Sequence, residues 1–338
     1  MAHPRAALVR EAAARLGTSI VRTPLLEAPS LNKLACARLD KKDLRVLVKA
    51  ECLQKTGAFK FRGALNRLLE EDMDDAAARA RGVVAFSSGN FAQALALAAA
   101  TTGTTCTIVS PHDAPPLKLE RTRDYGATVV LSTAAPGVNR EVAASAMAAA
   151  FAEEHGAKLL HPFDDWGVIY GQGTLALEIF EEEEDVASLI VPTGGGGMLA
   201  GCCLAAELAS PSTKLFCVEP AGYDDHRSSF ESGARTPLAG APAATISDAL
   251  QASAPGELTW AVNGPRVAGA AAVPDADAVD AMAVAFTELK LVLEPSGALG
   301  LAALLRGDVP VADGDTVAVV ACGGNVSLDT FLELHAKR

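Results

Sequence analysis

Leu189-Ile190-Val191-Pro192-Thr193-Gly194-Gly195-Gly196-Gly197-Met198-Leu199 is the stretch on which the fold turns. A short apolar run of strand character ends in four consecutive glycines, and an apolar run of helical length, 196–208, follows. Consecutive glycines let several backbone N–H groups converge, and the helix start adds partial positive charge. Together these hold a phosphate without any lysine. The same residues also make a tight strand-to-helix turn, although four glycines exceed what a turn requires. No Gly-Lys-Ser/Thr ending follows, which excludes a P-loop, and the context and spacing of the dinucleotide fingerprint are absent.

Outward from this point the alternation recurs. Apolar, β-rich runs at 45–50, 82–86, 105–110, 128–131, 159–161, 214–218 and 316–321 alternate with Ala/Leu-rich stretches at 60–69, 90–101, 116–125, 141–155, 171–184, 276–289 and 297–305. Strands alternating with helices of this length predict βαβ units, hence an α/β fold with open, twisted, mainly parallel sheets. Runs such as Val317-Ala318-Val319-Val320 are apolar on both faces, as in a sheet flanked by helices on each side. Two further glycine turns, Ser87-Ser88-Gly89-Asn90 and Cys322-Gly323-Gly324-Asn325, also end strands and place ligand groups along one sheet edge. The first offers hydroxyls and N–H groups suited to a carboxylate, or simply an N-cap. The stretch 221–265 is the least regular and carries no assignment beyond a surface segment or an active-site loop region.

Composition narrows the function classes. The chain has 338 residues, 29 Lys and Arg against 41 Asp and Glu, and a net charge of −12. This acidic balance, with no basic run, argues against nucleic acid or an anionic membrane surface as partner. The length suggests two domains, and the 50% apolar content is ample for their cores. Seven scattered cysteines without a C-x-x-C pair point to a reducing, cytoplasmic setting. Arg5, Arg10 and Arg15 are interrupted by Glu11, so the N-terminus reads as an ordinary helix rather than a transit peptide. No apolar stretch is long enough to span a bilayer.

Lys60, in Thr56-Gly57-Ala58-Phe59-Lys60-Phe61-Arg62-Gly63, opens a helix amid apolar neighbours. Read alone it is a surface lysine. In an apolar setting its ammonium form is disfavoured, which is the state a Schiff-base lysine needs.

With these motifs in order, the chain resembles the serine/threonine dehydratase and serine racemase group of fold-type II pyridoxal-phosphate enzymes. Arg22-Thr23-Pro24-Leu25, Lys49-Ala50-Glu51, the lysine segment, Ser87–Asn90, Asp113-Ala114-Pro115 with Lys118, and Tyr125-Gly126-Ala127 come first. Gly171-Gln172-Gly173-Thr174, the tetraglycine turn, Val218-Glu219-Pro220, Glu294-Pro295-Ser296-Gly297 and Cys322–Asn325 complete the series. The resemblance implies two sheets of the tryptophan synthase β-like type. A discontinuous large domain (1–75 and 157–338) would enclose a small one (76–156), in a homodimer acting on a small amino acid. No regulatory domain is expected after Cys322–Asn325.

The resemblance also implies roles. Lys60 would carry pyridoxal 5'-phosphate through a Schiff base and, once freed, take the substrate's α-proton. Phe59 would pack on the cofactor, Asn90 would bond its hydroxyl, Gly194, Gly195, Gly196 and Gly197 would cradle its phosphate, and Cys322 would face its pyridine nitrogen. Ser87, Ser88, Gly89 and Asn90 would receive the substrate carboxylate. Glu219, Asp225 and the backbone carbonyl of Tyr223 would bind Mg²⁺, or Ca²⁺ or Mn²⁺. Otherwise Asp225 caps a helix starting near His226.

Cys322 is a neutral group at a position where a charged acid would strengthen the electron sink, so prompt loss of a β-hydroxyl is the easier outcome. The expected activity is dehydration of a β-hydroxy amino acid, such as L-threonine, L-serine or a 3-hydroxyaspartate, to a 2-oxo acid and ammonia. The alternative is a racemase of serine or aspartate type with side elimination, using Ser88 as second acid/base. The chain departs from the family pattern in four places. Phe91-Ala92 follows the asparagine, Ala58 replaces a serine, Ala249 replaces a glycine after Asp248, and Arg140 stands a turn away from the racemase arginine.

Overall fold

Burial on both faces makes the short apolar runs parallel strands. A computed structural model of the chain describes residues 3–70, 75–87, 89–134, 140–240 and 242–336. Ser88 therefore lies outside the described residues. Within them stand β1 (Leu25–Glu27), β2 (Leu44–Lys49), β3 (Val83–Phe86), β4 (Cys106–Pro111) and β5 (Thr128–Ser132). The second half adds β6 (Lys158–Leu159), β7 (Ser188–Pro192), β8 (Lys214–Pro220), β9 (Val267–Val273) and β10 (Asp315–Val320). One sheet has six strands in the order β1-β2-β10-β7-β8-β9, the other four in the order β5-β4-β3-β6. Every pairing is parallel except β1 with β2. The expected α/β architecture of two mainly parallel sheets flanked by helices is the architecture observed.

β10 and β7 are neighbours near the middle of the larger sheet, so the turns after them, at Cys322 and Gly194, open on the same edge. Ligands in open α/β sheets gather at such C-terminal strand ends. The helix Trp166–Glu182 packs closely on the helices Lys60–Leu68 and Gly197–Ala209. It begins five residues before the predicted 171, because Asp165 caps it, its Oδ1 accepting from the Val168 N–H at 3.2 Å. Gly171 and Gly173 sit inside this helix as close-approach points. A Cβ on the first would stand 2.6 Å from Arg62 O, and one on the second 2.6 Å from Gly201 O.

The lysine helix is tied into the larger sheet through buried charge. Arg62, fully buried, donates Nε to Glu51 Oε2 (2.8 Å) and Nη1 to Glu178 Oε1 (2.6 Å). Lys49 Nζ donates to Glu178 Oε2 (2.6 Å) and to Thr23 O (2.7 Å). Thr23, Lys49 and Glu51 thus belong to a buried network that anchors the helix carrying Lys60 at Arg62.

Candidate active site

Lys60 is the first residue of its helix, and the backbone just before it is clamped. The Phe59 N–H donates to Cys322 O (3.1 Å), Ala58 forms an antiparallel bridge with Gly323, and the Gly324 N–H donates to Gly57 O (2.9 Å). Asn325 extends the clamp, its Nδ2 reaching Thr56 O (2.8 Å) and Asn90 Oδ1 (2.9 Å). The lysine loop, the asparagine turn and the C-terminal glycine turn are therefore one hydrogen-bonded unit.

They open on a cavity of about 860 Å³. Phe59, Lys60, Ser87, Gly89, Asn90, Gly194 to Gly197 and Cys322 all line it. Lys60 Nζ donates to Pro162 O (2.8 Å) and stands 5.2 Å from the centre of the Phe59 ring and 5.7 Å from that of Phe91. Burial pulls its pKa down to about 8, so a useful fraction is free amine near neutrality. Phe91, a departure from the family pattern, is itself buried and borders the lysine.

Asn90 is already oriented by protein. Its Nδ2 donates to Glu294 Oε1 (2.6 Å). Burial raises Glu294 to about 7, opposed by the Lys118 charge, whose Nζ stands 3.9 Å from Oε2. Lys118 Nζ also binds Asp248 Oδ2 at 2.6 Å. Arg140 pairs with Asp113 (2.9 Å). The Cys322 thiol is buried, donates to Ser296 O at 3.6 Å, and is held protonated because burial raises it well above an ordinary thiol.

The glycine turn is shaped from outside. Thr259 Oγ1 donates to Gly195 O (2.7 Å) and Asn263 Nδ2 to Gly196 O (3.3 Å). In a trans peptide the N–H points opposite to the C=O, so these bonds turn the N–H groups of Gly196 and Gly197 away from Thr259 and Asn263 and leave them free of that contact. Gly196 has φ +94, a left-handed conformation, and the helix Gly197–Ala209 begins at once. A Cβ on Gly195 would stand 2.2 Å from Phe163 Cε2. A cradle of converging amides at a helix start, facing a low-pKa lysine across one cavity, fits pyridoxal phosphate.

The predicted cation residues divide. Tyr223 lines the cavity, whereas Glu219 and Asp225 are buried beside His226. Asp225 is not the cap of the helix Asp225–Ser232: it is that helix's first residue, and Glu219 accepts from the His226 and Arg227 N–H groups, both at 2.9 Å. His226 Nδ1 lies 3.3 Å from Glu219 Oε1 and 3.5 Å from Asp225 Oδ2. Both Asp225 oxygens are buried without a hydrogen-bond partner, and with the Glu219 carboxylate they are the oxygen donors that fit a cation. Burial opposes the imidazolium, but the two facing carboxylates outweigh it and lift His226 to about 9.

Sequence reasoning missed His226, Phe163, Thr259, Asn263 and the orienting role of Glu294. For His226 a signal existed, its position directly after Asp224-Asp225 and seven residues past Glu219. The others act through contacts distant in the chain.

A family model described as pyridoxal-phosphate dependent enzyme matches residues 16–323. The serine racemase of Arabidopsis thaliana is 39% identical over 328 residues, covering 96% of this chain and 93% of that protein. The L-threo-3-hydroxyaspartate ammonia-lyase of Pseudomonas sp is 39% identical over 326 residues, covering 96% and 97%. The structure of maize serine racemase superposes with a TM-score of 0.86 at 36% identity, covering 99% of this chain and 97% of that one.

Proposed function

The chain belongs to the pyridoxal-phosphate-dependent enzyme family, and from that premise we propose that it is an ammonia-lyase of a β-hydroxy amino acid. The substrate class is L-serine, L-threonine or a 3-hydroxyaspartate, and the products are the 2-oxo acid and ammonia. When bound, pyridoxal phosphate supplies the conjugated ring that accepts the electron pair left at the α-carbon. Lys60 is the amine to which it attaches, with Phe59 against it, Asn90 at its hydroxyl and Gly194 to Gly197 at its phosphate. Ser87, Ser88, Gly89 and Asn90 receive the substrate carboxylate.

The observation that carries the reading is the pairing of Lys60 with Cys322 in one cavity. Lys60, lowered to about 8, takes the α-proton at Nζ and returns a proton to the departing β-hydroxyl. Cys322, a protonated thiol, adds no charge near the ring nitrogen, so the residues here favour discharging the electron pair by loss of the hydroxyl. The test is release of 2-oxo acid and ammonia from L-serine, L-threonine and both 3-hydroxyaspartates. Release from none of them contradicts the proposal.

The serine racemase relative favours a second reading, inversion of the α-carbon, with Ser88 as the second acid/base. It predicts a D-amino acid as the dominant product.

Three subsidiary proposals accompany this one. A divalent cation sits at Glu219, Asp225 and the Tyr223 carbonyl, where it ties the loop after β8 by neutralising two buried carboxylates; Mg²⁺, Ca²⁺ and Mn²⁺ are the oxygen-site expectation. The domain division is 1–75 with 157–338 against 76–156. β3, β4 and β5 of the four-stranded sheet lie within 76–156 and support it, whereas the edge strand β6 (Lys158–Leu159) belongs to the same sheet and moves the second boundary past Leu159; limited proteolysis that cuts elsewhere would count against the division. The enzyme is a cytoplasmic homodimer, checked by light scattering and by fractionation; a monomeric mass contradicts it. The seven unpaired cysteines are in keeping with a reducing compartment, and among the described residues no helix is long and apolar enough to cross a membrane.

A further inference from the structure

We propose that Arg235 selects the substrate: its guanidinium receives the second carboxylate of a dicarboxylic β-hydroxy amino acid, so that a 3-hydroxyaspartate is preferred to L-serine and L-threonine. The inference rests on the ammonia-lyase reading and narrows its substrate class.

The first support is how the charged groups of the cavity are already engaged. Lys60, Asp164, Arg235, Asp248 and Glu294 line it. Asp164 accepts the Glu257, Leu258 and Thr259 N–H groups at the start of the helix Glu257–Arg266. Asp248 is paired with Lys118 at 2.6 Å, and Glu294 accepts from Asn90. Lys60 is committed to the cofactor and the α-proton. His161 also lines the cavity but is neutral: its Nδ1 accepts the Asp164 N–H at 2.9 Å, and burial lowers its pKa from the ordinary histidine value. Arg235 is exposed, and among the described residues its side chain makes one hydrogen bond, from Nε to Pro255 O (2.6 Å), and no ion pair. Both Nη groups remain available, and a guanidinium with that fork unspent matches a carboxylate.

The second support is that the arginine is held in place. The Leu238 N–H donates to Ser253 O (2.8 Å), so with the Nε bond to Pro255 O the segment 235–238 is tied to 253–255, and all of 248–256 lines the cavity. The Thr236 N–H donates to Oγ of the buried Ser229 (2.9 Å), which pins the same segment to the helix Asp225–Ser232. A side chain already fixed at Nε loses less freedom when its fork closes on an anion.

The third support is topological. The turn Ser87–Asn90, proposed for the α-carboxylate, follows β3 of the four-stranded sheet, whereas Arg235 follows β8 of the six-stranded sheet and the helix after it. The cavity therefore offers carboxylate positions on two separate elements. L-Serine and L-threonine have one carboxylate and leave the guanidinium unused, whereas a 3-hydroxyaspartate uses both. Arg140, the arginine that stands near the racemase position in sequence, is paired with Asp113 (2.9 Å) and is not among the residues lining the cavity. Taking a second carboxylate out of water without a cationic partner is costly, so Arg235 decides which substrate the cavity admits.

Two readouts keep the inference separable from the reading beneath it. Calorimetric binding of succinate and of butyrate to holoenzyme compares two carboxylates with one on the same carbon frame, without turnover. Wild-type enzyme should bind succinate about tenfold more tightly, and Arg235→Leu should remove most of that preference. In turnover, the ratio of kcat/KM for a 3-hydroxyaspartate to that for L-serine should fall about 10- to 100-fold in Arg235→Leu, and less in Arg235→Lys, which keeps the charge but not the fork. Equal affinity of wild-type enzyme for the two acids overturns the inference, and so does an unchanged ratio in Arg235→Leu. Weakened pyridoxal phosphate binding in that variant with the succinate preference intact also overturns it, because the guanidinium then serves the phosphate. Absence of oxo acid from every substrate overturns the ammonia-lyase reading, and the succinate comparison still decides whether Arg235 holds a second carboxylate. Should Arg235→Leu fail to fold, Arg235→Lys and the wild-type binding comparison decide.

Discussion

Replacing Gly195 by alanine tests the phosphate cradle most severely. The added Cβ would stand 2.2 Å from Phe163 Cε2 and 2.3 Å from Cδ2 and Cζ, more than ~1 Å inside ordinary carbon contact. The ring is packed on one side and borders the cavity on the other. It packs edge-on against His161 with centroids 4.5 Å apart, and the Phe163 backbone lies against Gly197, where a Cβ would meet its carbonyl oxygen at 2.8 Å. Either the ring swings into the cavity that would hold the cofactor or the turn moves, and the turn's carbonyls are held by Thr259 and Asn263. Overpacking of this kind costs about 1–3 kcal/mol. If that strain is relieved by opening the amide cradle, cofactor affinity falls about 5- to 150-fold, at ~1.4 kcal/mol per tenfold. The assay is titration of apo-enzyme with pyridoxal phosphate, followed by its visible absorption. Gly103→Ala is the control: φ is +68 and nothing lies within 4 Å, so it should lose about 1 kcal/mol of stability and no cofactor affinity. Wild-type affinity in Gly195→Ala, or an equal loss in Gly103→Ala, would refute the reasoning.

Two other consequences can be checked directly. Lys60, lowered to about 8 by burial, reacts as free amine, so the rate at which apo-enzyme captures pyridoxal phosphate should rise with pH through about 8 and level above it; a rise that continues unchanged toward the ordinary lysine range contradicts the burial argument. Glu178→Ala leaves Lys49 and Arg62 buried with a carboxylate partner removed, so unfolding free energy should drop about 3–5 kcal/mol in urea titration, and an unchanged midpoint would show that the network contributes little.

The fold was legible where its signal is local. β7, the glycine run and the helix after it are contiguous, and apolar strands buried on both faces announce a parallel sheet whatever lies next to them. β9 was not legible. Val267-Ala268-Gly269-Ala270-Ala271-Ala272-Val273 lacks the β-branched density of a strand and is held extended by pairing with β8, with Phe216 pressed against Gly269. The helix Asp225–Ser232 was anticipated only as one starting near His226, and Glu257–Arg266 was lost in the irregular stretch, with Pro265 inside it. In the site, Lys60 and the three glycine turns could be found because each carries its motif in a few residues. Thr259 and Asn263 could not, since their work is to bond carbonyls more than sixty positions away. His226 stood beside the predicted ligands but read as the start of a helix, and only the fold turns its ring between Glu219 and Asp225.

The account's central claim is that the residues around Lys60 and Cys322 favour loss of the β-hydroxyl over return of the proton. The direct measurement is the partition of one substrate sample, with 2-oxo acid and enantiomeric composition followed together over time. The account predicts 2-oxo acid and ammonia in equal amounts as the dominant products, with the activity abolished in Lys60→Ala. Accumulation of the opposite enantiomer without matching oxo acid would contradict it.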